Sequence, residues 1–136
     1  MTSRQRQLVR HSFETVRDQA RPVALLFYGR LFELDPPARR LFHIDLAEQA
    51  RKIIDMLATV TDSLDDFESL RPRLAILGQQ HAGYGVRPEQ YETVTAALIW
   101  AFGQALGADF DVPTRDAWTV ALTDVCAAMK EGAAQA

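Results

Sequence analysis

Apolar residues in this chain recur every three to four positions almost from end to end, and nowhere do they alternate over the length of a strand. A period near that of the α-helix, kept up over 136 residues, points to helices packed around one core. Proline, glycine and capping residues divide the pattern. Ser3 suits the cap of a first helix that turns Leu8, Phe13 and Val16 inward. Pro22 fits the first turn of a second helix reaching about Leu34, where Asp35-Pro36-Pro37 stops it. Pro37 then opens a short turn ending at Phe42. Asp45, with Glu48 three residues on, resembles a capping box and starts a third helix to about Leu64. The polar stretch Thr61–Glu68 reads as a loop or a frayed end. A further helix runs from about Leu70 to His81 or Ala82, broken by Gly83-Tyr84-Gly85. Pro88 begins a long helix to near Gly107, and Pro113 begins the last, to near Gly132. The expectation is an all-α domain of six to seven helices over residues 1–132, followed by a short disordered tail at 133–136.

Charge and cysteine usage narrow the function. The net charge is −3 and the basic residues are scattered, so nucleic acid is not an expected partner. The single cysteine, Cys126, excludes an internal disulfide, and there is no CxxCH motif for covalent haem attachment. The start, MTSRQRQLVRHSF, is too polar for a secretory signal, and the longest apolar stretches are too short to span a bilayer. The expected location is the cytoplasm, without membrane insertion.

The informative residues are the polar ones that interrupt apolar stripes. In the third helix the stripe Ile53, Leu57, Val60, Leu64 extends back four residues to Gln49. In the next helix Leu70, Leu74 and Leu77 extend forward four residues to His81. In the second, Leu25, Tyr28 and Phe32 are expected to share a face, which turns a phenol inward. A buried polar group needs a partner, and three helices aiming one each inward suggest a common pocket. The pattern leaves alternatives open: His81 as a hydrogen-bonded core residue or a metal ligand, Gln49 as solvated or inward, Tyr28 with its hydroxyl in solvent or in the pocket. Spacing alone does not yield haem.

Three segments, in order and at matching intervals, resemble bacterial single-domain globins, and also neuroglobin-type chains. LLFYGRLFELDPPARRLF (Leu25–Phe42) is similar to their second and third helices, AEQARKII (Ala47–Ile54) to their distal helix, and LGQQHAGYGVRPEQY (Leu77–Tyr91) to their proximal helix and the turn after it. The resemblance spans Leu8 to Met129 and implies a globin fold around haem b (iron protoporphyrin IX), held non-covalently. It implies His81 as the proximal iron ligand, Phe42 stacked on the haem face, and Gln49 and Tyr28 on the distal, gas-binding side. It further implies Ile53, Leu57, Leu77, Val86, Tyr91 and Val94 as cofactor contacts, Phe27 and Phe32 as core around the pocket, and His43, Arg51, Lys52 and Arg87 as candidate propionate partners.

The resemblance also has departures. Flavohaemoglobins pair the proximal histidine with a glutamate from the last helix, near a tyrosine. Tyr91 matches that tyrosine, but the glutamate position falls at about Ala133, with Glu131 two residues off register. The imidazole of His81 is therefore expected to bond a backbone carbonyl of its own helix, around Leu77 or Gly78. No flavin or nicotinamide domain follows in the sequence, so any reductant is expected to be a separate molecule. The implied function is reversible O₂ binding at ferrous iron, with distal hydrogen bonds slowing release; CO and NO are further ligands. The alternative is a nitric oxide dioxygenase served by a separate reductase, and a third reading is a haem-based gas sensor or a non-haem interaction module.

Overall fold

The computed structural model describes residues 1–41 and 45–135. Among these are six α-helices: α1 (Ser3–Asp18), α2 (Ala20–Leu34), α3 (Leu46–Asp62), α4 (Phe67–Gly83), α5 (Gln90–Leu106) and α6 (Val112–Ala134). Short 3₁₀ turns occupy Pro36–Leu41, Leu64–Asp66 and Gly107–Asp109.

Local chemistry sets most boundaries. Thr2, rather than Ser3, caps α1: its side chain accepts from Gln5 N–H, and the Gln5 side chain accepts from Thr2 N–H in return, a full capping box. Asp45 caps α3 through Ala47 N–H at 3.0 Å, without the reciprocal bond from Glu48 expected of a box. The expected loop Thr61–Glu68 is mostly helical, because α3 continues to Asp62 and a 3₁₀ turn buries Leu64 before α4 starts at Phe67. Gly85, at φ +94°, makes the left-handed step between α4 and α5 that a side chain would resist. At the other end α6 runs through Ala134, so Ala133 and Ala134 are helical rather than part of a disordered tail.

One register expectation fails. Leu25 is 57% exposed, because the buried face of α2 is Val23, Ala24, Phe27, Tyr28 and Leu31. Leu25 lies one helical step beside that face, three residues before Tyr28 but on the side away from Phe27 and Leu31. Tyr28 itself is 2% exposed.

The core is built where α1, α5 and α6 meet. Trp118 and Phe102 are fully buried with ring centroids 4.7 Å apart, and Phe13 packs on Trp118 at 6.3 Å. The indole N–H of Trp118 donates to Ser12 Oγ at 2.7 Å, and Ser12 in turn donates to Leu8 O. Replacing Ser12 by alanine would strand that N–H inside the core. We expect the protein to lose about 1–3 kcal/mol of stability in a denaturant titration; a loss below about 0.5 kcal/mol would show that the indole finds another partner.

The arrangement leaves α3 and α4 apart. The helix α4 packs on α6, α2 packs on α5, and α3 packs on α2 and α1. Among the described residues the backbones of α3 and α4 come close at few points or none, and Met56 of α3 and Leu77 of α4, both half-buried, face each other across the space between them.

The α4–α6 crossing is unusually close. A Cβ built on Gly78 would strike the backbone carbonyl of Met129, and one built on Gly132 would strike that of Ala75. Backbone therefore rests on backbone at two reciprocal points, and only glycine fits at either.

Candidate functional site

His81 sits in the last turn of α4, half-buried, one helical turn beyond Leu77. Its Nδ1 lies 2.8 Å from Leu77 O. A carbonyl can only accept, so Nδ1 carries the hydrogen, and in the neutral ring Nε2 has the lone pair for an acceptor of electron density. The bond holds the ring by its own helix, as expected from the sequence. Glu131 lies 65% exposed and pairs with Arg71 at 3.6 Å. Among the described residues no carboxylate pairs with His81. The turn after α4 folds back on the same residue, with Val86 N–H donating to His81 O at 3.0 Å.

Tyr28 lies on the buried face of α2, against Phe27 at 5.0 Å between ring centroids and Phe32 at 6.0 Å. Burial pushes its phenol well above the ordinary range, so the hydroxyl stays a hydrogen-bond donor. Gln49, in the first turn of α3, is half-buried; Ile53 is half-buried and Leu57 fully buried along the same helix. Val86 and Val94 are half-buried, and Tyr91 is 6% exposed. The Tyr91 hydroxyl is buried without a hydrogen-bond partner among the described residues, and burial raises its pKa, with Cys126 nearby adding to the shift. Of the candidate propionate partners, Arg51 and Lys52 are exposed on α3 beside Gln49, and Arg87 is exposed with its Nε 3.7 Å from Glu89. Phe42 and His43 lie outside the described residues.

The gap between α3 and α4 includes a cavity of about 310 Å³, with Met56 and Val60 on one wall and Leu70, Leu74 and Leu77 on the other. A larger groove, about 960 Å³, runs along α2, α5 and α6; both hollows are open to the surface, and His81, Gln49 and Tyr28 line neither. Among the described residues no group of three or more His, Cys, Asp or Glu converges to hold a bare metal ion. The residues fit a flat, largely apolar group with one metal at its centre. They offer apolar residues on two facing helices, Met56 and Val60 on α3 and Leu70, Leu74 and Leu77 on α4, and one imidazole, a turn beyond Leu77, whose Nε2 is unbonded among the described residues.

Sequence reading missed one buried polar residue here. Gln90, 7% exposed at the start of α5, donates from Nε2 to Asp35 at 3.0 Å and accepts from Arg87 N–H at 2.8 Å. Its partner lies 55 residues away, beyond the reach of any local pattern.

Comparison with known proteins decides the family, since the Globin family model matches residues 25–129. The chain belongs to the globin family. The neuroglobins of Tetraodon nigroviridis and Chaenocephalus aceratus are each 28% identical to this globin, over 97% of this chain and 92% of theirs. A solved Rhodothermus marinus protein, an engineered carbene transferase provisionally named a nitric oxide dioxygenase, superposes with a TM-score of 0.88. It shares 26% identity with this globin, over 99% of this chain and 94% of its own. A bacterial globin from Campylobacter jejuni superposes with a TM-score of 0.87 at 20% identity, covering 98% of this chain and 97% of its own. Membership brings haem as the cofactor and diatomic gases as ligands. No helix among the described residues is long and apolar enough to cross a membrane.

Proposed function

We propose that this globin binds one non-covalent haem b through His81 Nε2 and uses it to hold O₂ reversibly, with Tyr28 and Gln49 slowing release. The observation that carries the reading is the His81–Leu77 bond, which leaves the Nε2 of the neutral imidazole with its lone pair available one turn beyond Leu77. When bound, haem supplies an iron centre with one open position for a diatomic gas. The chain supplies the rest. Apolar walls from Ile53, Leu57, Leu77, Val86 and Val94 exclude water. The Tyr28 hydroxyl and the Gln49 amide provide N–H and O–H donors on the distal side. Such donors favour O₂, which draws electron density, over CO, which draws less. A backbone carbonyl behind His81 makes its imidazole a moderate donor, less basic than one backed by a carboxylate. Arg51, Lys52 and Arg87 are the cations available to the propionates, together with His43. Phe42 is proposed to stack on the haem face.

The test is reconstitution followed by stopped-flow release. The wild-type protein should take up one equivalent of haem with a Soret band in the ferric, ferrous and oxygenated forms. Replacing Tyr28 by phenylalanine keeps the ring and removes the donor. O₂ dissociation should then accelerate by about tenfold or more, with a smaller change for CO. Absence of a Soret band in the wild type defeats the haem reading, and unchanged O₂ release in Tyr28→Phe defeats the distal role.

A second reading is nitric oxide dioxygenation, supported by likeness to the Rhodothermus marinus protein provisionally named for that activity. It would combine NO and O₂ to nitrate and consume one electron per turnover, delivered by a separate reductase. Steady-state NO loss under air that depends on such a reductase would favour it over simple O₂ binding.

A further inference from the structure

The two bonds of Gln90 join parts of the fold that lie on opposite sides of the proposed haem site. Asp35 is the C-cap of α2, the helix that carries Tyr28. Its N–H donates to Leu31 O at 2.8 Å, and its own carbonyl accepts from Ala38 at the start of the next turn. Arg87 lies in the turn that follows α4, directly after Val86, whose N–H donates to the carbonyl of His81. One buried amide therefore spans from the end of the Tyr28 helix to the turn anchored on His81. Both ends of the amide are used, and the residue type follows from that. Its NH₂ meets a carboxylate and its carbonyl meets an N–H. Glutamate would face Asp35 with a like charge, and leucine would leave the part-buried Arg87 N–H without its side-chain partner.

We propose that Gln90 is a positioning residue that fixes the separation of the distal and proximal sides of the site by tying Asp35 to the turn after His81. Its consequence for the iron–histidine bond rests on the haem reading; the tie itself does not. Loosening it would free the turn, and with it the hydrogen bond that ends α4 at His81.

The experiment uses the full chain as purified. Amide hydrogen exchange at Val86 is followed by NMR in the wild type, Gln90→Leu, Gln90→Glu and the double variant Asp35→Asn with Gln90→Glu. The Val86 amide does not touch Gln90, so it reports opening of the turn rather than loss of a direct bond. Both single variants should exchange there about tenfold faster or more. The double variant restores a donor opposite an acceptor, and its exchange should return towards the wild-type rate. Full protection in Gln90→Glu, or no recovery in the double variant, would overturn the tie. In the haem-loaded ferrous proteins the iron–histidine stretching band in resonance Raman should shift in Gln90→Leu and return in the double variant. A band unmoved in Gln90→Leu would overturn the positioning role. A wild type without a Soret band counts against the haem reading instead, so the two failures separate.

Discussion

Haem retention should be lost in His81→Ala. The ring is held by its own helix through Leu77 O, so its removal breaks one local hydrogen bond and leaves the stripe Leu70, Leu74, Leu77 in place. Helix content by circular dichroism should therefore change little, while the Soret band after gel filtration should fall to near background. Imidazole added to the variant should restore part of it, because the free base can enter the space left by the side chain. A variant that keeps its Soret band, with the spectrum of a five-coordinate histidine-bound iron, would show that another residue is the ligand. A variant that loses both helix and haem would leave imidazole rescue as the deciding measurement: recovery supports His81, and none argues against it.

The second large effect is expected at the α4–α6 crossing. Gly78→Ala drives a methyl group into the Met129 backbone, and Gly132→Ala drives one into that of Ala75. Backbone cannot swing aside as a flexible side chain can, so the helices must separate. Each substitution should cost about 3 kcal/mol or more, at or beyond the upper end of ordinary overpacking and a large share of a domain's total stability. Gly29→Ala is the control of opposite sign. A Cβ at Gly29 meets nothing within 4 Å, so alanine there should stabilise the protein by about 0.5–1 kcal/mol through its better helix propensity. Equal stability of Gly78→Ala and Gly29→Ala in urea would show that the crossing is looser than it stands here.

What was legible in the sequence follows from the range of the interactions. Pro22 and Pro113 in the first turns of their helices, the break at Gly83-Tyr84-Gly85 and the burial of Tyr28 are all local, and all stand in the structure, while His81 is half-buried. The His81–Leu77 bond is also local, four residues apart, and was expected from the missing glutamate at position 133. Leu25 misled because leucine is apolar wherever it lies, and only the neighbours of α2 decide which edge of its stripe is covered. The stretch Thr61–Glu68 misled because its polar composition matches a loop, while tertiary burial of Leu64 holds it in helical turns. Gln90 and the glycine pair were not legible at all. Each depends on a partner more than 50 residues distant, which no local pattern reaches.

The burial of Tyr28 has one more consequence. A distal histidine changes charge between about pH 5 and 8, and so passes the acidity of its surroundings on to the gas it holds. Neither proposed donor here does so: the Gln49 amide does not titrate, and burial keeps the Tyr28 phenol protonated far beyond neutrality. With these two as the distal donors, O₂ release is not expected to change on their account between about pH 5 and 8.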